Sequence, residues 1–290
     1  MQKNKWIPVF YILPALLILV MFVYYPIVRN IGYGFTDWEL MSGTKHWVGL
    51  NNYIKLLKSA EFAKVFLNNI RYVAISVFFQ VGVALVIAAA LENMKTRWLS
   101  GLFRTTFFLP SLISLTIIGL MFTFIYNNEG LLNGFLKFIG LGQYAKGWLG
   151  NGKTAIYAVI AVSQWRSIGY TMMLLIVAIQ RIPREIFEAA RIDGATSTRI
   201  FWDITVPNIA GMLKIALMIN IAGGFLVFNE IFIMTSGGPY GSSQVLSTMM
   251  YEYAFVHGKM GYASAIANVI LVISFLFLLP QLFVKNKGEA

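Results

Sequence analysis

Residues 9–31 read VFYILPALLILVMFVYYPIVRNI, and the only charged residue among them is Arg29. An α-helix needs about 20 consecutive apolar residues to cross the hydrocarbon core of a bilayer, and this stretch meets that length. Lys3 and Lys5 precede it, which is also the pattern of a secretory signal peptide. The apolar run is longer than a signal-peptide core, however, and no small-residue cleavage site follows it. The stretch therefore predicts a first membrane-spanning helix.

The rest of the chain repeats this pattern. Of its 290 residues, 58% are hydrophobic and 12% are charged, whereas soluble domains are about 45–50% apolar and about 25% charged. Apolar stretches long enough to span a membrane lie at about 9–31, 69–91, 103–126, 154–179, 208–233 and 262–284. Four prolines fall inside or at the ends of these stretches, where kinks are expected: Pro14, Pro26, Pro110 and Pro280. We expect an all-α membrane protein of about six transmembrane helices, forming a single domain over 1–290.

The net charge of +11 comes from basic residues scattered among the loops. They form no long run and accompany no nucleic-acid-binding motif, so no nucleic-acid partner is expected. Cysteine is absent, and the two histidines, His46 and His257, lie far apart in the sequence. This composition argues against a metal site, and no cofactor is expected.

The distribution of Lys and Arg between alternate loops predicts the orientation. With the N-terminus inside, the inner segments hold 11 basic residues in 51 positions and the outer segments hold 9 in 95. The inner segments are 1–7, 93–104, 181–206 and 285–290, and the outer ones are 29–68, 127–153 and 234–261. Because cytoplasmic loops are richer in Lys and Arg, we expect both termini to be cytoplasmic in a bacterial cell membrane.

The most informative polar segment is 181–206, RIPREIFEAARIDGATSTRIFWDITV, which is followed by Pro207. Pro183 suits the first position of a helix, and Glu185 suits its first turn, where negative charge meets the helix dipole. Gly194 can adopt the left-handed conformation that ends such a helix. The segment therefore predicts a first short helix that closes at Gly194.

A second helix is predicted after this glycine. Ser197 or Thr198 can cap it, and its apolar face is Ile200, Phe201 and Ile204, before Pro207 opens the fifth span. Two amphipathic helices lying flat on the cytoplasmic face would expose carboxylates and small side chains. That shape is suited to docking into a groove on a partner.

Glu188-Ala189-Ala190, then Gly194 and Pro207, resemble the EAA loop of binding-protein-dependent ABC importers. In that family the loop forms coupling helices that sit in a cleft of the ATPase subunit and transmit its opening and closing. The resemblance implies that Glu188 pairs with a basic group on the ATPase and that Gly194 permits the bend. The implied coupling residues are Glu188, Ala189, Ala190, Asp193, Gly194 and Pro207. One departure is the run 204–206, where family members often place Leu before the proline.

The resemblance extends over nearly the whole chain. The segments that carry it are Leu13-Pro14-Ala15 through Tyr24-Tyr25-Pro26, Phe35-Thr36-Asp37-Trp38, Val48-Gly49-Leu50-Asn51-Asn52-Tyr53 and Thr235-Ser236-Gly237-Gly238-Pro239. They resemble carbohydrate-uptake permeases of the maltose permease F-type and glycerol-phosphate permease A-type. The resemblance implies a non-enzymatic subunit that assembles with a second homologous permease, two copies of an ABC ATPase and an extracytoplasmic sugar-binding protein. Its substrate would be a sugar, and the loop starting at Thr235 would reach toward the binding protein.

Polar residues inside the predicted spans are candidates for contact with the transported solute, because polar groups are costly in a membrane unless they face protein or water. The fourth span offers Gln164, Trp165, Arg166 and Tyr170, with Trp165 available to stack on a sugar ring. Arg166 has alternative partners, namely a helix-end carbonyl or a carboxylate such as Glu230.

The fifth and sixth spans add further candidates. Asn220, Gly223, Val227 and Glu230 are spaced for one face of a helix. Asn229 lies beside that face, and in the sixth span Ser264 and Asn268 are four residues apart. Amides and carboxylates suit sugar hydroxyls because they meet donor and acceptor demands together. The alternative that these groups only join helices to one another stays open.

Residues 147–154, GWLGNGKT, match the phosphate-loop pattern of nucleotide-binding proteins. That loop requires a buried strand before it and an ATP-containing compartment, and neither is expected here, so we reject the match. Two other functions stay open: an ABC permease for a different solute, and a secondary transporter driven by an ion gradient. The second predicts an internal repeat or several buried carboxylates, and only Glu230 is found. A membrane-embedded enzyme is disfavoured because the spans hold no nucleophile–base set.

Overall fold

The computed structural model describes residues 7–283, and within that range its secondary structure is helical apart from an isolated bridge between Thr36 and Trp47. The helices of the first half are α1 (Ile7–Leu19), α2 (Tyr25–Tyr33), α3 (Asn51–Lys58), α4 (Ala60–Ser76), α5 (Ala84–Glu92), α6 (Arg97–Leu112), α7 (Leu115–Ile125) and α8 (Leu131–Phe138). Those of the second half are α9 (Ala155–Ile179), α10 (Arg184–Ile192), α11 (Ser197–Arg199), α12 (Val206–Asn208), α13 (Ala210–Leu226), α14 (Asn229–Thr235), α15 (Leu246–Tyr251) and α16 (Met260–Phe283). Shorter helical turns are π-helical at Val20–Tyr24, Val77–Val83, Ile200–Thr205 and Glu252–Val256, and 3₁₀ at Gly142–Tyr144. The predicted all-α fold is confirmed.

Four helices are long and apolar enough to cross a membrane by themselves. They are Tyr11–Tyr33, Ala60–Glu92, Ala155–Ile179 and Met260–Phe277. They overlap the predicted spans 9–31, 69–91, 154–179 and 262–284, of which residue 284 lies outside the described residues. The second of them begins nine residues earlier than predicted, because the polar stretch before residue 69 continues the same helix.

The other two predicted spans are broken. Arg97–Leu112 and Leu115–Ile125 meet at 96°, and Ser197–Asn208 and Ala210–Leu226 meet at 75°. The first break, at residues 113–114, comes shortly after Pro110, which lies inside the first helix of that pair. If each bent pair counts as one span, the described chain has up to six, which is the predicted number. The pair at the fifth span covers Ser197–Leu226, however, and not the predicted 208–233.

The described residues fall into two compact units. The first takes in the described parts of Met1–Phe62 and Met249–Leu271, and the second takes in those of Ala63–Thr248 and Val272–Ala290. In the first unit the apolar window of Tyr11–Tyr33 has no buried residue. Such a surface is unstable in water, so it faces lipid or another membrane protein. The expectation of a single domain over 1–290 stays a prediction.

The first unit also contains a partly buried tyrosine outside the spans. Tyr253 Oη donates a hydrogen bond to Glu61 Oε2 at 2.9 Å. Burial raises the pKa of Tyr253, and the hydrogen bond to the Glu61 carboxylate raises it further. The neutral phenol therefore persists at all physiological pH values.

The second unit contains two apolar clusters. One joins α5 to α9 through fully buried side chains that include Ala88, Met172 and Leu175. The other joins α7, α9 and α14 through residues that include Ile118 and Ile231. These clusters hold in place the helix ends that carry polar side chains.

Candidate functional site

The coupling segment, residues 184–208, begins with α10, whose end is closed by two backbone hydrogen bonds. Gly194 has φ +78°, and its N–H donates to the carbonyl oxygen of Arg191 at 3.1 Å. The N–H of Ala195 donates to the carbonyl oxygen of Ala190 at 2.9 Å. This is the Schellman ending, in which a left-handed residue turns the chain and satisfies helix carbonyls that otherwise lack donors. The predicted left-handed closure at Gly194 is confirmed.

Three other predicted boundaries in this segment are wrong. Pro183 has an extended backbone, so α10 begins one residue later, at Arg184. Thr196 caps the second helix in place of Ser197 or Thr198, because its Oγ1 accepts a hydrogen bond from the Arg199 N–H at 3.4 Å. Pro207 lies inside that second helix, which runs on to Asn208, so the proline does not open the fifth span.

The predicted coupling residues are accessible in the isolated chain. Glu188, Ala189, Asp193, Gly194 and Pro207 are exposed, and Ala190 is half-buried. Two large apolar side chains beside them are also exposed, Ile192 at 85% and Trp202 at 60%. Burying a side chain of that size contributes about 1.5–3 kcal/mol. The segment therefore presents a surface that a protein partner would stabilise by covering.

A polar network that the sequence did not predict joins the coupling segment to the spans. Glu92 Oε1, at the end of α5, accepts hydrogen bonds from Arg104 Nη2 at 2.6 Å and from Gln180 Nε2 at 2.8 Å. The neighbouring Asn93 Oδ1 accepts from Arg191 Nη2, in α10, at 3.4 Å. The opposite charges of Glu92 and Arg104, 12 residues apart across a short loop between two spans, could have indicated their pairing. The contacts with Gln180 and Arg191 are tertiary, and sequence spacing does not reveal them.

Among the predicted pathway residues, Gln164 is buried and fully engaged inside the second unit. Its Nε2 donates to Ser76 Oγ and to the Ile160 carbonyl oxygen, both at 3.1 Å. Its Oε1 accepts from Gln80 Nε2 at 2.8 Å. These bonds join α9 to the helix Ala60–Glu92, as the helix-joining alternative predicts.

Asn220 and Asn268 are buried amides as well. Asn220 Nδ2 donates to the Ala216 carbonyl oxygen of its own helix at 2.8 Å. Asn268, in the first unit, donates to Tyr53 Oη at 2.8 Å and accepts from Asn30 Nδ2 at 3.1 Å. Both side chains therefore have partners inside the chain.

The remaining pathway candidates are more accessible. Trp165, Tyr170 and Asn229 are exposed, and Arg166 and Glu230 are half-buried. Arg166 and Glu230 interact electrostatically, and the buried Nε of Arg166 has no hydrogen-bond partner among the described residues. A hydroxylated solute could form hydrogen bonds with these groups.

The predicted common face of Asn220, Gly223, Val227 and Glu230 is wrong. The helix α13 ends at Leu226, and α14 begins at Asn229 after a non-helical pair. Val227 has an extended backbone, with ψ 127°, so the helical spacing does not continue across it. Asn220 and Glu230 therefore lie on different helices.

Two buried asparagines near this break were also missed. Asn69 Nδ2 donates to the Gly224 carbonyl oxygen at 2.9 Å, and its Oδ1 accepts from the Leu246 N–H at 2.8 Å. Asn68 Nδ2 donates to the carbonyl oxygens of Ser242 and Gln244, both at 2.9 Å. The adjacent asparagines Asn68 and Asn69 in an amphipathic stretch were the available signal. Together they fasten the loop after α14 to the helix Ala60–Glu92.

The loop from Thr235 to Val245 is built of tight turns. Ser236 and Gly237 have φ of 48° and 83°, and Ser243 Oγ donates to the Gly238 carbonyl oxygen at 2.6 Å. Tyr240, at the tip, is 99% exposed. The loop therefore holds a single aromatic side chain away from the rest of its unit.

The phosphate-loop match at 147–154 forms turns that lead into α9. Thr154 Oγ1 donates to the Trp148 carbonyl oxygen at 2.7 Å, and the Lys153 N–H donates to Asn151 Oδ1 at 2.9 Å. No strand precedes this segment in the part of the chain that the structure describes. These bonds engage the side chains of Asn151 and Thr154 within the turns.

The chain is similar to known transport proteins along its whole length. Residues 80–286 match the family described as "Binding-protein-dependent transport system inner membrane component". The chain is 47% identical to the "Probable ABC transporter permease protein YurN" of Bacillus subtilis, over 99% of each chain. It is 30% identical to the "Multiple sugar-binding transport system permease protein MsmF" of Streptococcus mutans, over 99% of this chain and 97% of that one.

A solved structure has the same fold. It is the crystal structure of a bacterial ABC transporter involved in the import of the acidic polysaccharide alginate. The match has a TM-score of 0.85 at 22% identity and covers 99% of this chain and 98% of that one.

Proposed function

This chain belongs to the family of binding-protein-dependent transport system inner membrane components, and we propose that it forms half of the translocation pathway of an ATP-driven importer of sugars or oligosaccharides. The observation that carries the proposal is the exposed coupling segment, with Glu188, Ile192 and Asp193 accessible to a partner. The relative from Streptococcus mutans is described as a sugar transport permease, which supports the sugar class.

The energy source is a separate pair of ABC ATPases. The segment that matches the phosphate loop forms turns stabilised by its own polar residues, so ATP hydrolysis is assigned to another chain. The ATPases would cover the coupling segment, with Glu188 pairing with one of their basic groups and Ala189 and Ala190 allowing close approach. Asp193, Gly194 and Pro207 complete this surface.

Motion of the coupling segment would reach the spans through the Glu92 network. Arg191 in α10 contacts Asn93, while Glu92 joins α5 to Arg104 in α6 and to Gln180 after α9. Closure of the ATPases would shift α10, and these bonds carry that shift to three spanning helices. A second, homologous permease would contribute the other half of the pathway.

The sugar would contact the accessible polar groups. Trp165 and Tyr170 offer aromatic faces for sugar rings, and Asn229, Arg166 and Glu230 offer hydrogen-bonding groups for hydroxyls. Gln164, Asn220 and Asn268 would shape the pathway by holding its helices in place.

The chain would lie in the bacterial cell membrane with both termini in the cytoplasm. The higher density of Lys and Arg in the segments on the side of 181–206 supports this orientation. The loop tip at Tyr240 would then face the outside, where an extracytoplasmic sugar-binding protein docks. The family description, which names dependence on a binding protein, supports that partner.

The test is capture of partners by the tagged full-length chain from its native membrane in mild detergent. We expect a second six-span permease and a soluble ATPase, and we expect Glu188→Lys to lose the ATPase while keeping the permease. Disrupting a desolvated charge pair costs about 2–5 kcal/mol, which corresponds to a loss of at least about 30-fold in affinity. The matched control is Glu129→Lys, the same charge change at an exposed site before α8.

The alternatives predict other outcomes. Recovery of the chain alone or as a homodimer would overturn the importer proposal and favour an ion-coupled transporter. Recovery of an ATPase together with a binding protein specific for amino acids or peptides would instead support an ABC permease, but one for a different solute.

A further inference from the structure

A cavity of about 690 Å³ lies beside the coupling segment. Its wall is formed by the end of α5, the first turns of α6, the end of α9 and the inner face of α10. Five basic side chains line it, against two carboxylates, Glu92 and Glu188. The basic residues are Lys95, Arg97, Arg104, Arg184 and Arg191. The wall therefore has an excess of positive charge.

Internal pairing removes only part of that charge. Arg104 is paired with Glu92 at 2.6 Å, and Arg191 donates to the neutral Asn93. Within residues 7–283, Lys95, Arg97 and Arg184 have no ion pair or hydrogen bond from their side chains. The electrostatic attractions of three cations around one cavity add together, so they stabilise an anion bound there.

The cavity lies beside a surface suited to the membrane interface. In α6, Arg97, Gly101 and Arg104 line the cavity at helical spacing. Trp98 and Leu102, on the neighbouring face of the same turns, are 72% and 50% exposed. Tryptophan is enriched at the depth of lipid headgroups, and basic pockets between spanning helices bind anionic headgroups.

We propose that this cavity binds the phosphate-bearing headgroup of an anionic phospholipid. Lys95, Arg97 and Arg184 would contact the phosphate, while the acyl chains would lie along Trp98 and Leu102. Since Arg97 belongs to α6 and Arg184 to α10, one bound headgroup would bridge a spanning helix and the coupling segment. The lipid would thereby stabilise one position of α10, independently of which solute is transported.

The test measures lipid binding to the purified full-length chain. Detergent-solubilised protein is titrated with phosphatidylglycerol, with phosphatidylcholine and with inorganic phosphate, and bound lipid is counted by native mass spectrometry. The triple variant Lys95→Gln, Arg97→Gln, Arg184→Gln is compared with Lys55→Gln, Lys137→Gln, Lys153→Gln. The control removes the same charge from positions outside the cavity.

We expect one phosphatidylglycerol per chain to bind the native protein and the control, and the cavity variant to bind it about 100-fold more weakly, at roughly a fivefold effect per cation near the surface. Arg184→Gln alone should weaken binding by about fivefold, which keeps the test valid if the triple variant does not fold. Equal loss in the cavity and control variants would overturn the proposal. Displacement of the lipid by inorganic phosphate at comparable concentration would also overturn it, because the site would then be a free-anion site.

Discussion

The coupling segment and the helix Ala60–Glu92 both carry polar side chains, but they place them differently. In the coupling segment, Glu188 and Asp193 are exposed beside an exposed Ile192. In the helix, Asn69 and Gln80 are buried and hydrogen-bonded to other helices of the same unit. A buried polar group without a partner costs about 1–3 kcal/mol, and Asn69 and Gln80 avoid this cost through hydrogen bonds to other helices. Substitutions in the coupling segment should therefore affect assembly with partners, whereas substitutions in the helix should affect folding stability. Variants in each region test that difference.

Asn69→Ala should have the largest effect. It removes the hydrogen bonds to the Gly224 carbonyl oxygen and from the Leu246 N–H, leaving two buried backbone groups unpaired. The expected loss of stability is about 2–6 kcal/mol, at about 1–3 kcal/mol per unpaired group. The measurement is the thermal midpoint of the purified chain in detergent. Asn51→Ala, at an exposed site, is the control, and equal midpoints in the two variants would contradict the prediction.

Glu92→Ala should weaken the connection between the spans next to the coupling segment, while Arg191 keeps its hydrogen bond to Asn93. It removes a partly buried, charge-assisted hydrogen bond to Arg104, worth about 1.5–3 kcal/mol, and frees Gln180 as well. ATPase capture should persist, because the coupling surface is unchanged, whereas stimulation of ATP hydrolysis by the loaded binding protein should fall about tenfold. Both quantities are measured in the assembled complex, with Glu129→Ala as the control. Loss of capture together with stimulation would show that Glu92 serves only folding.

Gly224→Ala should lower the stability of the folded chain, whereas Gly223→Ala should raise it. A Cβ on Gly224 would lie 2.6 Å from Val73 Cγ2, whereas one on Gly223 would meet no atom within 4 Å. Overpacking costs about 1–3 kcal/mol, and Gly→Ala at an open helical site stabilises by about 0.5–1 kcal/mol. Thermal midpoints of the two variants measure the difference. A lowered midpoint for Gly223→Ala would show that this face of α13 is covered in the folded chain.

Gly194→Ala should have a modest effect on stability and a specific one on assembly. An alanine in the left-handed region costs about 1–2 kcal/mol, so α10 would end less sharply and capture of the ATPase would weaken by about tenfold. Gly194→Asn should restore most of the capture, since asparagine tolerates that conformation. Failure of asparagine to restore it would point to a steric contact with the partner in place of the backbone requirement.

The sequence predicted the parts of this molecule that depend on neighbouring residues. Span positions follow from local hydropathy, and the closure at Gly194 follows from the conformational freedom of glycine, so both could be predicted. The break at Val227 could not, because the nearest glycines, Gly223 and Gly224, lie inside α13 and the residues at the break are neither proline nor glycine. The backbone turn there is fixed by contacts with other helices. For the same reason, periodicity alone placed Asn220 and Glu230 on one face.

In the candidate site, too, local features could be predicted and tertiary contacts could not. Motif residues of the coupling segment were identified from their order in the chain, although the cap at Thr196 and the boundary at Pro183 depend on backbone angles that residue type leaves open. Gln164 is a polar residue in a predicted span, but its residue type does not reveal that Ser76 and Gln80 are its hydrogen-bond partners. The Glu92 network joins residues from three parts of the chain, which no single stretch displays.

The unbroken course of the helix Ala60–Glu92 has a mechanical consequence. From Asn68, which holds the loop behind Tyr240, to Glu92, which joins the coupling network, the helix rises about 36 Å at 1.5 Å per residue. A helix of that length is stiff along its axis, and the π-helical turn at Val77–Val83 is the place where it can bend. A displacement of the loop along this axis would therefore be passed on to the Glu92 carboxylate at the other end of the helix.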